Sequence, residues 1–296
     1  MHTRNRSGFW YLLPAAALFV LFAIGPMAYG IYVSFLKWNG LTAPLWVGLA
    51  NWARFFRDPV ALHSLTLTIY VMLLSWVVQT PLSMALGIYL AGKQKHRQVI
   101  AVGYFLPLLF SSVAIALVWS SILNPNFGLL DNLLNAVGLS SLALDWLGST
   151  RLALPVLIAI VSWQYIPFHT LLYQAGAQQI PASLYEAAHL DGASPGQRFL
   201  HITLPQLRYT LVTSSVLILS GSLTFFDLIY ILTGGGPGHA TQVLTLMMYQ
   251  KAFQSQNLGY GSMIGVLLAL IGLALTLVTL RFSGFRRMES QAEGAA

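Results

Sequence analysis

Six stretches of this chain, at about 9–35, 62–92, 99–123, 151–176, 208–233 and 258–284, are nearly free of charge. Each is long enough to cross a hydrocarbon layer about 30 Å thick, which takes roughly 20 apolar residues in a helix. No other feature restricts the fold as much. Inside lipid every backbone amide and carbonyl must find its partner within the protein, and runs of this length satisfy that condition as helices. Composition points the same way, because 56% of the 296 residues are hydrophobic and only 8% are charged. An ordinary soluble domain carries about 25% charged residues, enough to cover a water-facing surface. An all-α membrane protein with about six transmembrane helices is therefore expected, with some tilt or protrusion where a run exceeds the bilayer.

The remaining basic residues are distributed unevenly. Arg4, Arg6, Lys93, Lys95, Arg97, Arg198, Arg208, Arg281, Arg286 and Arg287 fall on one side of the spans, and Lys37, Arg54, Arg57, Arg151 and Lys251 on the other. Ten against five places both termini in the cytoplasm by the positive-inside rule. The net charge of +7 is then a consequence of topology and of anchoring to anionic lipid in the bilayer, not of nucleic-acid binding, since no basic run exceeds the cluster from Lys93 to Arg97. The chain has no cysteine, which excludes disulfides, thiolate catalysis and cysteine metal sites. Arg4 and Arg6 before an apolar run containing Ala15, Ala16 and Ala17 resemble a secretion signal, but the run continues past Tyr29 and reads as a retained first helix.

The outer connections are longer than the inner ones. Residues 37–61 hold Trp38, Trp46, Trp52, Phe55 and Phe56, aromatic types suited to the headgroup zone, so a partly interfacial segment is expected there. A short amphipathic helix is expected around Leu129 to Val137. The sequence Thr233 to His239, TGGGPGH, forbids a continuing helix and must turn sharply. No soluble domain or internal repeat is evident.

One polar segment interrupts this pattern. Glu186 to Pro205, EAAHLDGASPGQRFLHITLP, is charged and glycine-broken between two apolar runs, and must sit in water. Pro181 to Leu190 can start a short helix with Ser183 as its cap, and Ala187 with Ala188 present a flat face that permits close approach. Gly192 can take a backbone conformation that other residues reach only at a cost, so it ends that helix and aims the next, expected from Pro195 to Ile202. Phe199 and Ile202 then pack back on the first piece. The product is a compact knob shaped to receive a soluble partner.

Glu186, Ala187 and Ala188, then Gly192, then Ile202, Leu204 and Pro205 resemble the cytoplasmic loop motif of ABC importer permeases. Six positions separate Glu186 from Gly192 and ten separate Gly192 from Ile202, with Asp191 and Ala193 flanking the glycine as in sugar permeases. Phe226, Asp227, Leu228, Ile229 and Tyr230, followed by Leu232, Thr233 and the Gly234-to-Pro237 turn, are similar to the end of the fifth span of carbohydrate-type permeases. Gly48, Leu49, Asn51 and Trp52 resemble the start of their first outer loop. The likeness extends over nearly the whole chain and touches both the maltose-like and the glycerol-phosphate-like branches.

That resemblance implies the type I permease fold of an ABC importer in a bacterial inner membrane. The layout it implies is a first helix and outer segment at 1–61, a permease core at 62–284 carrying a coupling loop at 177–207, and a cytoplasmic tail at 285–296. It implies a second, nonidentical permease subunit, two nucleotide-binding ATPase subunits and an extracytoplasmic solute-binding protein that delivers a sugar or oligosaccharide. It also implies that Glu186 pairs with a basic residue of the ATPase, that Gly192 sets the turn, and that Ala187 and Ala188 allow the contact. No glycine-rich loop with a lysine and a hydroxyl is present to cradle phosphates, so this chain is not expected to be an enzyme or to bind a cofactor. ATP and Mg would be used by the partners.

Candidates for the substrate pathway come from the apolar runs. Thr213, Ser220, Thr224 and Asp227 lie seven, four and three apart, which would form one polar stripe on the fifth helix. Asp227 facing hydrocarbon would cost roughly 2.5–3.5 kcal/mol or more near the bilayer centre, so it should face a cavity or a partner. It would either accept hydrogen bonds from substrate hydroxyls or cap and pair within the subunit interface. Trp163, Gln164 and Tyr165 offer aromatic planes and polar groups for a sugar, with interhelical packing as the competing role. Thr170 and Gln174 share a face with Trp163, and His169 lies beside it. Pro155 and Pro167 are expected to kink this helix, and Pro107, Ser111 and Ser112 to permit a kink in the third, where Trp119 and Asn124 sit near the outer end. The histidines show no metal-ligand spacing. Gly261, Gly265 and Gly272 suit close packing of the last helix. The rival reading, an ion-coupled secondary transporter using Asp227, usually requires more spans built as inverted repeats. A membrane enzyme would need paired acid and base groups within the spans, and none is found.

Overall fold

The structure is a computed structural model that describes residues 7–92 and 94–282. Arg4, Arg6, Lys93, Arg286, Arg287 and the tail at 285–296 lie outside the described residues. In chain order, α1 (Ser7–Phe19) passes through a π turn at Val20–Ile24 into α2 (Gly25–Ser34). A two-stranded ladder, β1 (Leu36–Lys37) and β2 (Leu45–Trp46), precedes α3 (Ala50–Phe55) and the long α4 (Pro59–Leu90). Then come α5 (Lys95–Tyr104), α6 (Leu106–Leu109), α7 (Ser112–Ile122), α8 (Leu129–Ala136) and α9 (Ala153–Gln178). The polar segment forms α10 (Ala182–Leu190), α11 (Pro195–Arg198), a π turn at Phe199–Thr203 and α12 (Leu204–Gln206). The chain ends through α13 (Arg208–Ser222), α14 (Asp227–Leu232), α15 (Leu244–Tyr249) and α16 (Leu258–Phe282).

Among the described residues, four helical stretches are long and apolar enough to cross a membrane: Tyr11–Ser34, Pro59–Leu90, Ala153–Gln178 and Leu258–Thr279. The expected third and fifth spans are not single helices. The third is divided among α5, α6 and α7. Pro107 lacks the amide a continuing helix needs, Phe110 is extended at ψ 146°, and Ser111 starts a new helix by accepting the Ala114 amide proton at 3.2 Å. The fifth stops at Ser222 and resumes at Asp227, with the Thr224 hydroxyl donating to the Gly221 carbonyl at 2.8 Å across the break. The fourth, by contrast, runs without a break. Pro155 falls in the first turn of α9, where an amide would have no intrahelical acceptor, and Pro167 is accommodated in the interior.

The molecule divides into two compact units, one of Met1–His63 with Met247–Leu270 and the other of Ser64–Leu246 with Ile271–Ala296. In the first, the segment expected to be interfacial folds as the ladder and α3. Asn39 explains the ladder: its side-chain oxygen accepts the amide protons of Leu41 and Thr42 at 3.0 and 2.9 Å and closes the turn. Asn51 is buried and donates to the carbonyls of Ser34 and Leu36, both at 2.9 Å, tying α3 to the end of α2. Gly259 allows the start of α16 to touch this region, since a Cβ there would lie 1.8 Å from the Leu36 carbonyl oxygen. Gly261 likewise packs on Ala252, which gives the small residues of the last helix a role within the chain.

The second unit is built on α4 and α9. At Gly87 a Cβ would stand 2.8 Å from the Thr170 carbonyl oxygen and 2.9 Å from the Gln174 amide nitrogen, so only glycine permits this approach. Polar groups are spent across the helix contacts: Gln79 donates to Ser162 at 3.4 Å, Trp76 to Ser215 at 2.8 Å and Gln174 to the Leu90 carbonyl at 3.2 Å. Such bonds join helices where lipid gives no hydrophobic drive to associate. Leu154, Leu157, Ile158, Ile229 and Leu246 form one apolar cluster, and Ile115, Ile160, Val161 and Leu228 another. The expected outer helix is present as α8, where buried Asp131 accepts the Trp146 indole proton at 2.9 Å. The glycine turn also forms as expected, with φ of 59° at Gly234, 96° at Gly235 and 54° at Gly238.

Candidate functional site

The knob is a pair of short helices closed by two local devices. Helix α10 begins after Pro181, which occupies the N-cap position with no side-chain hydrogen bond. Ser183 is therefore not the cap, because it already lies one residue inside the helix. At the other end the Ala193 amide donates to the Ala188 carbonyl at 2.9 Å and the Gly192 amide to the His189 carbonyl at 3.1 Å, with φ of 75° at Gly192. These paired bonds form a Schellman cap, which needs a left-handed residue at the glycine position. The second helix opens with a capping box: Ser194 accepts the Gln197 amide proton at 3.3 Å while Gln197 accepts that of Ser194 at 2.8 Å. Its Ser-x-x-Gln signature is visible in the sequence, although the motif reading passed over it.

The second arm is not one regular helix from Pro195 to Ile202. It changes to a π turn at Phe199, ends in α12, and meets α13 at a bend of 67°. The Tyr185 and Thr203 hydroxyls bond at 2.8 Å between the arms, and Phe199 and Ile202 are half-buried. Glu186, Ala187, Asp191, Gly192 and Pro205 are exposed, whereas Ala188 and Leu204 are half-buried. Leu190 is 88% exposed beside them. A groove of about 340 Å³ runs between the arms past Ala188, Asp191, Gly192, Arg198 and His201. The knob thus exposes a carboxylate, small residues and an apolar side chain.

A second feature lies within the same unit, a cavity of about 330 Å³ among α4, α9, α13 and the break before α14. Its polar lining is Gln79, Ser112, Tyr165, His169, Thr224 and Asp227. Its aromatic wall includes Phe225, stacked on Tyr165 at 5.7 Å, and Phe226, stacked on Tyr230 at 5.3 Å. Of the sequence candidates, Tyr165, His169, Thr224 and Asp227 meet here, whereas Gln164, Trp163, Ser220 and Asn124 make other contacts. Gln164 is buried and donates to Ser112 at 3.3 Å, which holds the start of α7 against α9. Trp163 packs edge-on to Trp119 at 5.7 Å. Ser220 donates back to the Val216 carbonyl of its own helix. Asn124 accepts the amide proton of Asn126 at 2.9 Å and closes a turn. The predicted stripe from Thr213 to Asp227 is interrupted because α13 ends at Ser222.

Gln79 was missed. It is buried in α4 and reaches the cavity, and an amide in the middle of an apolar run was the available signal. His169 was noted beside Trp163, and its ring nitrogen Nδ1 bonds the Ser214 hydroxyl at 3.1 Å. Two helices connect cavity and knob. Tyr165 and His169 lie on α9, which leads into α10, and Gly221 lies on α13, which returns from α12. These helices are held together at Gly176, where a Cβ would lie 2.6 Å from the Thr210 hydroxyl oxygen and 3.0 Å from Leu207.

Comparison with known proteins agrees with this arrangement. Residues 83–287 match the family described as the binding-protein-dependent transport system inner membrane component. The probable ABC transporter permease protein YurN of Bacillus subtilis is 37% identical over 275 residues, covering 92% of this chain and 94% of the relative. The trehalose/maltose transport system permease protein MalF of Thermococcus litoralis is 33% identical over 284 residues, covering 95% and 94%. In fold, the chain is similar to a subunit of a bacterial ABC transporter involved in the import of the acidic polysaccharide alginate, with a TM-score of 0.82, 24% identity and 94% of each chain covered. The chain belongs to the binding-protein-dependent transport system inner membrane components and is a multi-pass permease subunit of an ABC importer.

Proposed function

We propose that this permease moves a sugar or oligosaccharide across a bacterial inner membrane, with both termini cytoplasmic and the knob docked in a cleft of an ATPase subunit. The observation that carries the reading is the pair α9 and α13, locked at Gly176, which joins the exposed knob to the aromatic and polar cavity within one unit. A displacement applied at Glu186 to Gly192 is passed along two packed helices to Tyr165, His169 and Gly221. ATP and Mg act in two separate ATPase subunits, and their closure biases the inward–outward equilibrium of a permease pair. The second permease is a different chain, and a solute-binding protein outside the cell supplies the substrate. A related importer structure contains an alginate pentasaccharide-bound periplasmic protein, and several relatives are named for sugar transport, which supports this assembly.

In the cavity, the stacked Tyr165 and Phe225 rings offer an apolar plane for a sugar face, while Gln79, Thr224 and Asp227 offer hydrogen bonds to its hydroxyls. The test is uptake by the complete complex in proteoliposomes. Uptake is expected to require ATP and to survive an ionophore. Glu186→Lys and Gly192→Pro are expected to insert normally, cut uptake at least about tenfold, and leave ATPase activity that no longer responds to the loaded binding protein. Normal accumulation by both variants would refute the coupling role, and uptake abolished by ionophore alone would refute the ATP-driven reading.

A further inference from the structure

We infer that Asp227 makes the cavity a charge filter that admits uncharged saccharides and turns away acidic ones. The inference rests on the sugar-permease reading and deepens it. Asp227 is exposed into the cavity, and its carboxylate makes no ion pair among the described residues. Among the described residues, no lysine or arginine lines the space. The other ionisable lining groups are Tyr165, which is uncharged as a phenol, and His169, whose Nδ1 is engaged by Ser214 at 3.1 Å. Among the described residues of this chain, the fixed charge is therefore a single anion.

Distance decides whether that anion is felt. Charges within about 8 Å of one another, the Debye length in physiological salt, are only partly screened. A uronate or sulfonate group bound in the cavity beside Asp227 lies within that reach of its carboxylate. The apolar walls raise the interaction further, because field lines are focused where the surroundings are poorly polarisable. A neutral sugar meets no such opposition and can donate hydroxyl protons to the same carboxylate, a charge-assisted bond stronger than one to a neutral acceptor. One residue thus rewards hydroxyls and repels anions. The importer of similar fold is described as taking acidic alginate, so the family fold by itself does not decide between neutral and acidic cargo.

The experiment uses the full complex with its partner permease and ATPases in nanodiscs, without binding protein, so that selection upstream contributes nothing. Saturation-transfer NMR at pH 8, where an ordinary imidazole is neutral, compares gluco-, galacto- and manno-trisaccharides with the same set oxidised at C6 to uronates. Wild type is expected to prefer the neutral sugars by about tenfold or more, equivalent to about 1.4 kcal/mol. D227N is expected to lose most of that preference by admitting uronates, D227E to keep it, and added salt to weaken it. Equal binding of both sets by wild type, or a ratio unchanged in D227N, would overturn the filter while leaving the cavity a sugar site. Failure of every saccharide to bind would instead remove the sugar-site reading together with the filter.

Discussion

At the scale of single residues, glycines decide the most. Gly192 sits at φ 75° with nothing within 4 Å of where a Cβ would stand, so an alanine there meets strain in the backbone and not a clash. Gly192→Ala is expected to lower the stability of the knob by about 1–2 kcal/mol. At Gly87 the reverse holds: the backbone is ordinary, but a Cβ would lie 2.5 Å from that of Tyr173 and 2.8 Å from the Thr170 carbonyl oxygen. Gly87→Ala is expected to cost about 1–3 kcal/mol by forcing α4 and α9 apart. Thermal denaturation of the purified complex would show a clear drop for Gly87→Ala. Hydrogen exchange would confine the Gly192→Ala effect to residues 182–206. The sequence marks Gly192 by its polar setting, but Gly87 lies among apolar residues and only the helix crossing reveals why it is there.

At the scale of elements, short polar signatures proved more informative than long apolar ones. The capping box at Ser194 and Gln197 starts the second arm of the knob independently of anything distant. Ser194→Ala is expected to cost about 1 kcal/mol and to raise amide exchange at Gln197 and Arg198, with uptake falling as the arm frays. The apolar runs were less faithful. Hydropathy reports that a segment suits lipid, but not whether its hydrogen bonds run continuously, and both broken spans keep their apolar character through the break. At 222–227 the interruption places Thr224 and Asp227 beside Tyr165 instead of along a continuing stripe. The break is what forms the cavity.

At the scale of the whole molecule, the uneven placement of basic residues sets the expected orientation. Because the chain contains no cysteine, single cysteines report position without background. Leu190→Cys, at an 88% exposed site on the knob, is expected to react with a membrane-impermeant maleimide only from the cytoplasmic side, and Trp46→Cys, 65% exposed, only from the outside. Labelling of the knob from outside would reverse the topology and remove the ATPase as its partner. Added ATPase subunits are expected to protect the cysteine at position 190 at least about fivefold, a footprint that a free-standing loop would not show.

Apolar run length and the spacing from Glu186 to Pro205 were enough to indicate a helical membrane permease and to mark the knob proposed here as its docking element. Those properties are local or cumulative: the hydrophobic effect acts on each run by itself, and caps and left-handed glycines act within a few residues. The composition of the cavity was a different matter. Gln79 joins Tyr165 and Asp227 only because α4 and α9 pack at Gly87 and because the fifth span is interrupted. Gln164, Asn124, Trp163 and Ser220 carry suitable chemistry but are engaged elsewhere by near neighbours. Which polar groups face a shared space depends on helix crossings and breaks between segments far apart in the chain, and that information resides in the packing.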